Sequence, residues 1–179
     1  MTLFKQKYRI ESTRLKGWNY ASAGYYFVTI CTHQRQCVLG QVVDGNVILS
    51  PIGEIVAEEW EKTAVIRANV ESDEWIIMPN HLHGIIVITH EIVGQKGDNP
   101  NWKPNSLGSI IGQIKSKCTK RIRQAGYDDF RWQSRFYDRI IRDEIALQKA
   151  RRYIMNNPAK WEHDREKPPN IFMTLPKKA

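Results

Sequence analysis

The order of segments along this 179-residue chain predicts an α+β fold. Runs rich in aromatic and β-branched residues read as strands, and runs with apolar residues three and four apart read as helices. In order they give strand, helix, strand, strand, helix, strand and a last helix. That is the split βαβ order of a ferredoxin-like sandwich, a central antiparallel sheet with helices on one face. A β-hairpin is inserted after the first strand, and the last helix lies outside the repeat.

Composition narrows the class of protein. One domain with its own core is expected at this length, as a basic arm over 1–24, a folded domain over 25–162 and a basic tail over 163–179. A net charge of +8 and a pI near 9.5 call for a polyanionic partner, with nucleic acid foremost. The longest apolar run, around Gly84 to Ile88, is too short to span a bilayer, and no lipidation motif is present. The first residues lack the apolar segment of a secretory signal. Cys31, Cys37 and Cys118 are an odd set without a Cys-x-x-Cys pair, so reduced thiols in a cytoplasmic protein are expected.

In the arm, Lys5, Lys7, Arg9, Arg14 and Lys16 alternate with Tyr8, Trp18 and Tyr20, which suits either a clamp on a nucleic-acid strand or a cover for a sheet edge. Tyr25 to Cys31 is the first strand. Val42 to Leu49 reads as the inserted hairpin, turning at Asp44-Gly45. Ser50 caps and Pro51 opens a helix to about Ala68, packed through Ile52, Ile55, Val56 and Trp60. Glu74 to Met78 is the second strand, turned by Pro79-Asn80 into a third, with which it pairs antiparallel. Residues 91–105 form a loop expected to be mobile.

Ser106 to Gln124 is an amphipathic helix whose apolar stripe is Leu107, Ile110, Ile111, Ile114, Cys118 and Ile122. Lys115, Lys117, Lys120, Arg121 and Arg123 crowd its end, a pattern that suits phosphate contact as well as a helix C-terminus. Phe136 to Ile141 is the fourth strand. Asp143 caps a last helix through Asn157, and Pro158 ends it.

The third strand opens with His81-Leu82-His83. Side chains alternate along a strand, so both imidazoles face one way at a spacing of about 7 Å and can grip one divalent cation. Tyr153 and Asn157, four apart on the last helix, share a face and can bring a phenol and an amide oxygen to that cation. This equipment suits phosphodiester transesterification, with a cation on a non-bridging phosphate oxygen and the tyrosine oxygen attacking phosphorus. Oxygen donors favour Mg²⁺ and imidazoles favour softer ions; Mn²⁺ fits the mixed set. Tyr153 equally suits a core aromatic, and Asn157 an ordinary helix terminator. Tyr127 and Tyr137 are rival nucleophiles without a metal-competent partner on their own helical face. His33, His90 and His163 stand alone.

Three ordered strings carry a resemblance: Met78-Pro-Asn-His-Leu-His-Gly84, Trp132-Gln-x-Arg-Phe-Tyr-Asp-x-x-Ile-Arg-Asp143, and Tyr153-Ile-x-x-Asn-Pro158. Over residues 20–162 the chain resembles the REP-associated tyrosine transposases, a branch of the single-tyrosine HUH transposases. The resemblance implies a DNA-associated bacterial enzyme that cuts and rejoins single-stranded DNA beside hairpins through a 5′-phosphotyrosine. It implies metal ligands at His81 and His83, with Leu82 as the middle residue of the motif, and a Tyr153 nucleophile on a catalytic C-terminal helix. Asn157 stands where relatives place a third polar ligand, often glutamine, and its shorter side chain reaches less far. The DNA contacts expected are the five basic residues of the Ser106 helix together with Trp132, Arg135, Arg142 and Lys149. Family members act as monomers or as homodimers. A non-catalytic hairpin-binding module and a metal-dependent hydrolase using water are the alternatives.

Overall fold

The computed structural model describes residues 14–92 and 104–161. The start of the basic arm, most of the 91–105 loop and the basic tail lie outside the described residues.

Four strands make one antiparallel sheet in the order β4-β5-β1-β6. They are β1 (Gly24–Cys31), β4 (Val70–Met78), β5 (His81–Ile88) and β6 (Tyr137–Ile141). This is the expected ferredoxin-like order. β2 (Gly40–Val43) and β3 (Asn46–Leu49) form the inserted hairpin as a separate two-stranded sheet. Its turn places Asp44 at φ 49° and Gly45 at φ 71°, the doubly positive geometry that matches strand twist in a tight hairpin.

Two helices cover one face of the sheet, α1 (Pro51–Ile66) and α2 (Leu107–Gln124). Tyr26, Val28 and Ile30 of β1 and Leu82, Ile86 and Ile88 of β5 point into that core, against Val56 and Trp60 of α1 and the whole expected stripe of α2. Ser50 and Ser106 cap the two helices, accepting from the N–H groups of Gly53 and Ser109.

The opposite face carries α3 (Glu144–Met155), whose Leu147 and Ile154 pack on Ile85, Val87 and Ile141. Strand alternation therefore sends Leu82 into the main core while His81 and His83 face the side that α3 crosses.

Three local expectations are corrected. α1 stops at Ile66. β4 begins at Val70 and contains a bulge between Ser72 and Trp75, an irregularity that a four-residue apolar run does not announce. The single final helix is two: α3 ends at Met155, Asn156 caps it, and α4 (Asn157–Trp161) follows. Pro158 opens this second helix, because in a first turn its missing N–H needs no partner.

Candidate active site

The site is built where β5 and β1 lie side by side beneath α3. His83 stands opposite Thr29 and His81 opposite Cys31 in the strand register. The two imidazole rings come within 4.4 Å, centroid to centroid, at 70° to each other. Phe27 stacks on His83 at 5.3 Å, holding the plane of its ring. Thr29 Oγ1 lies 2.8 Å from His83 Nδ1, and Asn80 Oδ1 accepts from His81 Nδ1 at 2.6 Å.

Tyr153 projects from α3 onto this pair. Its hydroxyl is 3.5 Å from His83 Nε2, and its ring meets those of His83 and Phe27 edge-on at 5.2 and 6.0 Å. The tyrosine is 44% exposed, so its oxygen can reach a ligand from solvent. The bulge in β4 explains how α3 is held there. It presents Asp73 to Arg151, which donates Nε–H to Oδ1 at 2.9 Å and Nη2–H to Oδ2 at 2.6 Å, two residues before Tyr153. That bidentate pairing holds the Asp73 carboxyl below the usual carboxylate range, against the opposing effect of burial.

Burial, and then the neighbouring charge of His81, pushes His83 down to about 3. A buried imidazole that stays neutral keeps a lone pair for a metal ion. Two neutral-capable imidazoles with their Nδ1 atoms already engaged fit a divalent cation as half of a coordination shell. Among the described residues, no group of three His, Cys, Asp or Glu completes it. Further ligands then have to come from amide or substrate oxygens. The helix break at Asn156 removes the simple four-residue spacing that put Asn157 on the face of Tyr153. α4 nevertheless returns toward the histidines, with the Trp161 ring 6.0 Å from that of His81.

A cleft of about 730 Å³ opens beside Tyr153 and His83. Phe27 and Thr29 line its floor, Tyr137 and Arg139 one wall, and Lys149 and Ala150 the other. Lys149 is the one expected DNA contact on this cleft. Lys115, Lys120, Arg123 and Trp132 meet in a second, more open groove of about 580 Å³, joined by Arg131. Arg142 lies in a third hollow, with Leu15 and Tyr20 of the arm. Lys117 and Arg135 are exposed outside these grooves.

Several expected contacts also have partners within the fold. Arg121 donates to Glu59 and Glu58 of α1, both at 2.7 Å, so it ties α2 to α1. Lys115 donates to the carbonyls of Gln133 and Ser134, at 2.5 and 3.3 Å, and burial lowers its affinity for a proton. Trp132 bridges to Thr32 and packs edge-on against Phe130 at 5.0 Å.

Thr29, Asn80, Phe27, Arg139 and Trp161 are site residues that the sequence reading misses. Asn80 adjoins His81 and carried a signal. Thr29 and Phe27 reach the site only through strand register, which no local pattern encodes.

No protein-family model matches the chain. It is 36% identical over 168 residues to an uncharacterized protein of Haemophilus influenzae, covering 86% of this chain and 91% of that one. A solved structure of a REP-associated tyrosine transposase bound to a REP hairpin superposes with a TM-score of 0.58 at 20% identity, over 84% of this chain and 74% of that one. The chain belongs, with its Haemophilus influenzae relative, to one protein family built on the fold of the REP-associated tyrosine transposases.

Proposed function

We propose that this protein is a metal-dependent tyrosine transposase that cleaves and rejoins single-stranded DNA near hairpins. The observation that carries the reading is the Tyr153 hydroxyl 3.5 Å from His83, beside His81, at the edge of a cleft with cationic walls. The similar transposase fold, solved with a REP hairpin, and the three sequence strings support it. A divalent ion, Mg²⁺ or Mn²⁺, held by His81 and His83 with Asn157 as a third ligand, would supply charge to a non-bridging phosphate oxygen.

The chain's own residues do the rest. Lys149 and Arg139 attract the strand and neutralise phosphates flanking the scissile one. The Arg151–Asp73 pair holds α3 so that Tyr153 stays in line with phosphorus. The Tyr153 oxygen forms a bond to phosphorus as the bond to the 3′ oxygen breaks, leaving a 5′-phosphotyrosine and a free 3′-hydroxyl. The covalent intermediate conserves the phosphodiester so that a second 3′-hydroxyl can reverse the step. Lys120, Arg123 and Arg131 form a separate basic groove suited to the backbone of a hairpin stem. Such an enzyme works in the cytoplasm. No helix among the described residues is long and apolar enough to cross a membrane.

Incubation with Mn²⁺ and an end-labelled hairpin carrying single-stranded flanks tests this. A covalent protein–DNA band that Tyr153→Phe abolishes supports it. Cleavage surviving in Tyr153→Phe without a covalent band makes water the nucleophile, and a covalent band surviving there makes another tyrosine the nucleophile. Tight binding without cleavage of any hairpin makes the protein a binding module.

A further inference from the structure

We propose that Asn80 and Thr29 are positioning residues for the site histidines: Asn80 sets which ring nitrogen of His81 carries a proton, and Thr29 holds the His83 ring through Nδ1 in either tautomer. The inference rests on the metal-dependent reading above.

The chemistry of the partners decides the assignment. Asn80 Oδ1 has no hydrogen to give, so the 2.6 Å contact requires His81 Nδ1 to be the donor. A neutral His81 then has a bare Nε2, the form that can ligate a cation. Asn80 is in turn firmly held. It is 4% exposed, and its carbonyl accepts from both the N–H and the hydroxyl of Thr32 at 3.0 Å. Thr32 is itself 1% exposed, at the end of β1. Asn80 thus locks His81 to the sheet in one tautomer.

Thr29 acts differently. Its hydroxyl, 2.8 Å from His83 Nδ1, can accept from Nδ1–H or donate to a bare Nδ1. Phe27 fixes the ring plane while Thr29 leaves the proton free to change sides. His83 can therefore present a bare Nε2 to a cation, or interact through Nε2 with the Tyr153 hydroxyl when none is bound. One histidine is preset and the other adapts.

Loss of such a partner typically weakens metal affinity about 10- to 100-fold. Two measurements on the full chain without DNA test the assignment: calorimetric titration with Mn²⁺, and ¹⁵N NMR of the histidine ring nitrogens in metal-free protein. Asn80→Leu and Thr29→Val should each weaken Mn²⁺ binding by that factor while circular dichroism remains that of the folded protein. Asn80→Asp and Thr29→Ser, which keep an acceptor, should retain near-native affinity. Metal-free His81 should show a protonated Nδ1 and a bare Nε2. A protonated Nε2 on His81, or native Mn²⁺ affinity in folded Asn80→Leu and Thr29→Val, overturns the proposal. If the unsubstituted protein binds no Mn²⁺, the metal reading falls; the His81 tautomer still decides the role of Asn80.

Discussion

Arg151 grips Asp73 through two parallel hydrogen bonds, and this pair fastens the helix carrying Tyr153 to the strand next to the histidines. Neutralising the carboxylate with Asp73→Asn should loosen α3 and slow single-turnover cleavage on the order of 10-fold, because a small misplacement of a nucleophile is costly. Because the Asp73 carboxyl titrates below its ordinary value in the folded protein, its stabilisation is present above the carboxylate range and fades as pH falls through the folded value. The gap in urea midpoint between native protein and Asp73→Asn should therefore be widest at pH 7 and shrink as pH falls below the ordinary carboxylate value of 3.8. A gap that stays constant through that fall would contradict the pairing.

Gly84 follows the second histidine because a side chain there has nowhere to go. A Cβ would overlap the Trp60 ring, which is fully buried and donates Nε1–H to Ser72 Oγ at 2.8 Å. Gly84→Ala should cost about 1–3 kcal/mol in equilibrium unfolding, as overpacking of a tight core does. Unchanged stability would mean that Trp60 can yield.

His83 gives the metal-free protein an acid sensitivity of its own. Its folded value of about 3 lies below the ordinary 6.5, so the unfolded chain binds a proton that the folded chain refuses. Stability should fall as pH drops from about 6.5 toward 3, by on the order of a few kcal/mol from this residue. His83→Gln should flatten that slope in denaturation curves taken between those limits. An unaltered slope would place the acid sensitivity elsewhere.

Charge should govern strand binding. Affinity for a short single strand should fall steeply with salt, and Arg139→Ala or Lys149→Ala should each reduce the slope of log affinity against log salt by about 1. Anisotropy titrations between 50 and 300 mM salt measure it (roughly the range over which such contacts are screened). Salt-insensitive binding would remove the cleft walls from the interface.

Much of this was legible because the chain's local signals agree with its fold. The caps at Ser50 and Asp143, the Asp44-Gly45 turn and the α2 stripe all appear where spacing puts them. What stayed hidden is non-local. The β4 bulge that delivers Asp73, the placement of α3 across the opposite face and the Thr29–His83 pairing arise from register between distant segments. Pro158 misled because a proline that ends one helix can equally open the next. Arg121 belongs by spacing to the basic end of α2, and its pairing with Glu58 and Glu59 spans about sixty residues of sequence, so no local pattern announces it.

The most direct measurement is of where DNA becomes attached. After incubation with Mn²⁺ and a hairpin substrate, nuclease trimming and peptide mass spectrometry should find a nucleotide phosphate on the peptide that contains Tyr153, and none after Tyr153→Phe. A phosphate on Tyr137 or Tyr127, or cleaved DNA with no modified peptide, would contradict the account.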